Sequence, residues 1–456
     1  AKLQSGDAAA AIELLKDQTS VKAIRIRAEA LEMLGQREAA AAAVKSAVEQ
    51  LLAKRTEDPA ELTEGVQAMV IRARLDGQPA RDYQTMLNLL ARARGELDRL
   101  YWPAYLGEAE LLFEKDATRE SVEALHQALS LNPRCAEAWY LLGRVALQQF
   151  DFTSAAAAAR ALKRLNPDHP LAVMLEAESR LVQDDPEQAL EMLTPLSARW
   201  PQLRQPLALI AASQALLYDD VKQQKALDDY DALSPGSPMA YFVVGRHLSF
   251  NRQYAAAAKA LEEAVRRAPH WPAPQIELGL MELQSGRDDR ATAVLEKVVK
   301  LDPYNKRAAN SLFLLQELTT YVQQESDHFI LRYKPGIDEV MAEMMLDRLE
   351  QIHAIVAGRF QFEPLQKTVV ELMPDHERFA VRITGMPFVH TVAACTGPVI
   401  SMEPPREGPP AKHLGMFDWP RVIQHEYTHT ITLAQTKNRI PHWLTEGAAV
   451  SMEPAP

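Results

Sequence analysis

Cysteine is almost absent from this chain: its 456 residues include only Cys135 and Cys395. Two thiols so far apart in sequence cannot supply a disulfide framework, and they leave the redox compartment open. Long apolar stretches are missing too. No uninterrupted run approaches the ~18 residues that suggest a membrane span, so the sequence offers no membrane-spanning segment. Positive charge is in deficit, with 50 Lys and Arg against 61 Asp and Glu. The formal charge of −11 is spread over both parts of the chain, −6 over residues 1–324 and −5 over 325–456, and neither end is a charged tail. That balance, with no basic patch in which aromatics are interleaved, argues against nucleic acid or an anionic membrane as partner.

What is present is ordinary globular composition, 47% hydrophobic and 24% charged, which excludes wholesale disorder. At ~150 residues per domain, the length suits about three domains' worth of chain.

Internal repetition organises the first two thirds. Prolines stand at Pro133, Pro167, Pro201, Pro235, Pro269 and Pro303, each 34 residues after the last. Ten residues past the first five come Gly143, Ala177, Ala211, Gly245 and Gly279, and twelve further on Ala155, Ala189, Gln223, Ala257 and Ala291. Small residues at those places let two antiparallel helices approach closely. The proline then stops the second helix before the next unit begins. Six residues past each proline, Trp139, Val173, Leu207, Tyr241 and Gln275 occupy a slot expected to fill the groove between helices. Period and residue types resemble the tetratricopeptide repeat over roughly residues 102–305, which implies a helical-hairpin solenoid that binds a protein partner on its concave face.

Residues 1–101 read as further helix pairs with a looser period, that is, as degenerate repeats. Leu3-Gln4-Ser5-Gly6 repeats Leu283-Gln284-Ser285-Gly286, which lies between the two helices of a later repeat. Ala1 is therefore expected to fall inside a hairpin whose beginning is missing, and the lack of a signal peptide says nothing about a precursor.

After Pro303 one more helix, 306–324, is expected to cap the array, and then the texture changes. Asp327 to Tyr333 reads as strand, about 338–360 as a long helix, Thr368 to Met373 as strand, with a short helix after Pro374. Val392 to Met402 reads as paired or edge strand around Gly397-Pro398, and 404–410 as loop. Asp418 offers an N-cap with Pro420 in the first turn of a helix reaching Thr436, and Pro441 opens another. The fold class is thus mostly α: degenerate helical repeats over 1–101, regular repeats with a capping helix over 102–324, and a separate α+β domain over 325–456. Eight of the twelve histidines fall in that last domain, which directs attention to metal chemistry.

On the 418–436 helix stands HEYTH, residues 425–429. Four residues make just over one turn, so His425 and His429 project from one face and can meet one ion. Glu426, offset by one residue, lies beside such an ion, where a carboxylate can take a proton from water. Ile423, Tyr427, Ile431 and Ala434 fall on the opposite face at spacing suited to a core. The plain alternative is two helix-surface histidines and a solvated glutamate. Chance produces HExxH in on the order of one such chain in fifty, so a third donor is needed.

The extended metzincin pattern fails, since Thr432 stands at its glycine and Gln435 at its third histidine. The next helix carries HWLTEGAAV, with Glu446 17 positions after His429. Gly447 and Ala448 are expected to let that helix lie close to the first. HExxH followed by W-L-x-E-G resembles the glutamate-ligand zincins, in particular the peptidase MA-like metallopeptidases, over about the last 130 residues.

That resemblance implies a zincin-like fold and a Zn2+ held by His425, His429 and Glu446, with Glu426 as general base of a peptidase acting on peptide or protein substrates. It also leans towards a bacterial periplasm or cell envelope. His442, one turn before Glu446, is the alternative third ligand. The strand Val399 to Met402 is the candidate edge to which a substrate adds. Such enzymes place a Tyr or His oxyanion donor after the third ligand, and neither type follows Glu446 here. The catalytic domain is therefore expected to continue beyond Pro456, and this piece to cleave poorly. The alternative function is a non-catalytic repeat scaffold carrying a degenerate zincin domain. Cys395 reads as a small buried hydrophobe, Cys135 as a hairpin-junction residue without evident chemistry, and Trp443 and Met402 as packing residues.

Overall fold

The computed structural model describes residues 2–53, 55–77, 82–336, 338–387, 389–409 and 412–454. By packing, the chain divides into two units. The first is Ala1–Phe250, Ala256–Gln275 and Lys300–Asn305; the second is Asn251–Ala255, Ile276–Val299 and Lys306–Pro456. The change of texture near residue 325 therefore falls inside the second unit, which also takes in the last repeat helices and one earlier turn.

The first unit is a succession of helical hairpins. Its second helices end at Leu131, Leu165, Arg199, Leu233 and Arg267, each two residues before a proline of the 34-residue series. Proline restricts the residue before it and cannot continue the ladder of backbone hydrogen bonds, so it sets the period. The small-residue positions are buried: Ala155, Ala177, Ala189, Ala211 and Ala257 are at most 1% exposed. Gln223 is the exception, half-buried. The slot six past each proline has a second use that the sequence did not suggest. Trp139 Nε1 donates to Pro133 O at 2.9 Å and Gln275 Nε2 to Pro269 O at 2.8 Å.

The turns inside the hairpins repeat as well. Asp116, Phe150, Asp184, Tyr218 and Arg252, again 34 apart, all have φ between 53° and 59°. Each left-handed residue closes the preceding helix, as where Asp151 N donates to Ala146 O and Asp185 N to Arg180 O, both at 2.9 Å. Gly286 continues the series with φ 76°, and Gly6, in the matching tetrapeptide, has φ 86°. In residues 1–101 the period loosens because the helices differ in length. Arg37–Ala53 and Pro59–Asp76 have 17 and 18 residues, against 13 and 14 for Ala136–Gln148 and Phe152–Leu165. Early turns pack on late ones within this unit: a Cβ on Gly35 would lie 2.4 Å from Pro235 O, and one on Gly6 2.1 Å from Gln202 O. Only glycine permits both the positive φ and that approach.

The second unit contains a five-stranded sheet: β1 (Val322–Glu325), β2 (Phe329–Tyr333), β3 (Thr368–Leu372), β4 (Ala393–Cys395) and β5 (Val399–Met402). The order is β1-β2-β3-β5-β4, with β2, β3 and β5 parallel and the outer pairs antiparallel. On one face pack the helix Glu339–Phe360, through Met345, Leu349, Ile352 and Val356, and the helix Trp419–Thr436 that carries HEYTH. Two expectations are corrected. The capping helix stops at Leu318 and the chain turns into β1, a short exposed edge with too little apolar character to signal a strand. Val399 to Met402 is no edge: β5 lies between β3 and β4 and is at most 1% exposed, so β4 is the edge on that side.

A buried ion pair braces the sheet. Arg382, 1% exposed, donates to Glu371 on β3 at 2.6 Å and to Leu283 O at 2.6 Å, and Ser401 donates to Glu371 at 2.6 Å. Burial alone would raise the Glu371 pKa. The Arg382 charge and hydrogen bond, then Ser401 and Arg332, hold it below the usual range. A depressed folded pKa means that this contribution is present above the unfolded glutamate pKa and lost as pH falls through the folded one. Arg382→Met is expected to destabilise the second unit by about 3–5 kcal/mol, because it takes the main partner from a fully buried carboxylate and leaves only Ser401 and the more distant Arg332, at 3.5 Å. Urea denaturation at neutral pH measures this; a loss under about 1 kcal/mol would show that the pair is dispensable.

Candidate metal centre

Local sequence explains the helix that carries the motif. Asp418 caps it by accepting from Arg421 N at 3.3 Å, with Pro420 in the first turn. Lys437 and Asn438, both left-handed, end it. Ile423, Tyr427 and Ile431 are fully buried in the sheet-facing core. Ala434, expected on that face, is exposed near the helix end, and the buried Leu433 lies one turn past His429 on the metal side, where it lines the pocket.

The opposite face brings His425 and His429 together with Nε2 atoms 3.1 Å apart. Glu446, on the helix His442–Met452, approaches both: Oε2 is 3.5 Å from His425 Nε2 and Oε1 3.4 Å from His429 Nε2. These three residues form a set whose potential ligand atoms lie within 4.8 Å of one another. His442 is outside that set, largely exposed, with Nδ1 3.6 Å from Glu446. The two helices touch through Thr445 and Ala449, which are buried. At Gly447 an added Cβ would meet nothing within 4 Å, and Trp443 is 74% exposed rather than packed.

Hydrogen bonds fix which nitrogen faces Glu446. Thr432 Oγ1 donates to Thr428 O at 2.9 Å, so in its 2.8 Å contact with Thr445 Oγ1 it is the acceptor. The Thr445 hydroxyl has then spent its proton and must accept from His429 Nδ1 at 2.8 Å. His425 Nδ1 donates to Glu453 Oε1 at 2.8 Å, and Arg421 holds the other oxygen of Glu453 at 2.6 Å. Both imidazoles, when neutral, thus point lone pairs at a carboxylate and at each other. Three acceptors facing inward with no proton among them suit a cation, and anchoring of each Nδ1 is the usual support of a ligating histidine. The two Nε2 atoms, 3.1 Å apart, are near the ~3.3 Å edge of a tetrahedron with bonds of 2.0–2.1 Å, and one oxygen of Glu446 faces each of them. Burial pushes His429 down to about 3, keeping it neutral.

Glu426 is half-buried beside the pair. Burial pushes its carboxyl up to about 7; the His425 ring opposes this, Glu446 adds to it, and the Cys395 N–H and Arg252 oppose it. A pocket of about 250 Å³ opens over these groups, lined also by Thr391 and the edge residues Ala393, Ala394 and Cys395. Cys395 is buried, with Sγ 3.3 Å from Thr430 Oγ1, and desolvation pushes its thiol up to about 11, which suits an unreactive core residue. Cys135, also buried, precedes the helix Ala136–Gln148. Met402 is fully buried in the core.

A second grouping, His328, His353 and Glu363, also brings ligand atoms within 4.8 Å. Its rings are stacked, with centroids 3.6 Å apart and planes at 14°. The in-plane lone pairs therefore run nearly parallel instead of converging. His328 Nδ1 lies 2.7 Å from Glu350, and His353 Nδ1 2.7 Å from the hydroxyl of Tyr427 on the motif helix, so this pair buttresses the helix from its dry side.

Sequence reasoning missed Glu453, Thr445, Arg421 and Arg252. Glu453 lies seven residues, about two turns, past Glu446 and carries no motif. Glu453→Ala is expected to weaken zinc binding about 10–100-fold while leaving the fold intact. Competition against a zinc-chelating dye measures it; unchanged affinity would remove Glu453 from the support of His425.

Residues 106–170 and 245–306 match the tetratricopeptide repeat family, so the chain carries tetratricopeptide repeats joined to a C-terminal region with a small sheet. No curated protein matches the chain. Solved structures similar to it include a tetratricopeptide repeat protein from Parabacteroides merdae, 16% identical with TM-score 0.39 over 61% of this chain and 99% of that one. Pseudomonas aeruginosa pilF is 14% identical with TM-score 0.29 over 44% and 92%. Human IFIT1, as a dimer with m7Gppp-AAAA, is 15% identical with TM-score 0.38 over 69% and 77%.

Proposed function

We propose that the second unit is a zinc-dependent peptidase of the glutamate-ligand zincin type, with His425, His429 and Glu446 as ligands, and that the tetratricopeptide repeats bind a protein partner or substrate. The observation that carries this reading is the pair of Nε2 atoms converging with Glu446 while both Nδ1 atoms are anchored. Zinc at that place would supply Lewis acidity towards a peptide carbonyl and towards water. Glu426 accepts the proton of the attacking water and delivers it to the nitrogen of the leaving amine. Its raised carboxyl suits a group that must both take and give a proton near neutrality.

Among the described residues β4 pairs on one side only, with β5. Its residues Ala393 to Cys395 line the pocket, so an extended peptide adding to β4 by main-chain hydrogen bonds would pass over Glu426. The second reading, a non-catalytic scaffold, draws on the repeat match alone. Incubating the zinc-loaded chain with a denatured, fluorescence-quenched protein separates the two. Hydrolysis that chelation abolishes and zinc restores is expected. Bound zinc with no hydrolysis favours the scaffold, and failure to bind zinc ends the peptidase reading.

A further inference from the structure

Arg252 lines the same pocket but comes from a turn between two repeat helices. The repeat sets its backbone. With φ 56° it occupies the left-handed turn position that Asp116, Phe150, Asp184 and Tyr218 fill elsewhere, so the side chain can vary without altering the turn. At this repeat the turn is also fastened at three points. Asn438 Nδ2 donates to Arg252 O at 2.8 Å, Gln253 Nε2 to Asn438 O at 2.7 Å, and Tyr254 Oη to Thr396 O at 2.7 Å. Asn438 follows the motif helix and Thr396 follows β4, so the turn is held between the end of that helix and the edge strand.

The guanidinium touches Cys395 O at 3.4 Å and makes no ion pair among the described residues. Its charge is felt at Glu426 and His429. An arginine so placed presents a planar fork of donors suited to a carboxylate. Charge points the same way. With Glu426 ionised, Glu426, Glu446 and Arg252 together leave the pocket one unit negative, and a divalent cation on the ligand set turns that into one unit positive, which a single carboxylate neutralises. Leu433 and Ala393 line the same pocket.

We propose that Arg252 is the carboxylate anchor of this pocket. A peptide binds with a carboxylate on the Arg252 guanidinium, which places the neighbouring peptide bond against His425, His429 and Glu446. The anchoring needs only the guanidinium; cleavage of that bond rests on the peptidase reading above. The carboxylate is either the C-terminus of a chain or an acidic side chain beside the bond.

Calorimetric titration of the full chain, metal-free and as the zinc-loaded Glu426→Gln variant, distinguishes these sources. Three probes are used: acetyl-Ala-Ala-Ala with a free carboxylate, the same peptide as its amide, and acetyl-Ala-Asp-Ala amide. At least one carboxylate probe is expected to bind about tenfold tighter than the uncharged amide, and the tighter of the two identifies the source. Arg252→Gln brings the affinities within about twofold while zinc content is kept, and Arg252→Lys retains part of the preference. Equal affinities in the unsubstituted pocket, a preference that survives Arg252→Gln, or no binding of any probe would overturn the anchor. A chain that binds no zinc yet shows a preference lost in Arg252→Gln keeps the anchor and sinks the peptidase.

Discussion

Replacing His425 or His429 with alanine is expected to lower bound zinc from the proposed one ion per chain to less than about a tenth, as two donors are too few to hold the ion at micromolar free zinc. Elemental analysis after gel filtration measures this directly. The physical case is the order of protons around the site. The chain Thr428, Thr432, Thr445, His429 leaves the inner nitrogen of His429 without a proton, and Glu453 does the same for His425. Each substitution removes one of three converging donors and leaves the other two facing each other. Neither ring is needed to bury the helix, whose dry face is Ile423, Tyr427 and Ile431, so helicity by circular dichroism stays unchanged. Glu446→Gln is expected to weaken binding less, since an amide oxygen can still donate at the same position without the charge. Full zinc retention in both alanine variants would place the ion elsewhere or nowhere.

The parts of this site that could be read from sequence are those set by local spacing. His425 and His429 share a face because four residues make about a turn. Asp418 and Pro420 mark the helix start by chemistry that needs no tertiary context, and the 34-residue proline series gives the hairpins for the same reason. Strand order is different. Val399 to Met402 looks like an edge in one dimension, yet the crossover from β3 places β5 beside it and pushes β4 outward. Gly447 looks like a contact residue, but the angle of its helix puts Thr445 and Ala449 in contact instead. Arg252 lies 173 positions before His425, in a turn whose other members carry Asp, Phe or Tyr, and only packing of that turn on Asn438 and Thr396 brings it to the pocket. The one signal available was positional: a cation at a repeat turn where the other repeats have none.

Glu426→Gln is expected to abolish the proposed hydrolysis and to spare zinc. A fall in kcat of about 10²–10⁴ is expected, the range over which a positioned general acid and base contributes. The argument rests on what the substitution leaves alone. Glu426 is not among the converging ligand atoms, glutamine has nearly the same shape, and its oxygen can still accept from the Cys395 N–H that the carboxylate uses. Zinc content and melting temperature therefore stay near those of the unsubstituted chain, and KM moves little, because the amide keeps the pocket filled while losing only the capacity to take up a proton. The comparison with Glu426→Asp sharpens it. Aspartate keeps the charge but withdraws the carboxylate by one methylene, so part of the activity returns if proton transfer is the role, whereas a packing role would leave glutamine the better replacement. Hydrolysis undiminished in Glu426→Gln would assign the proton transfer to another group and leave Glu426 as a half-buried acid that the edge strand merely satisfies.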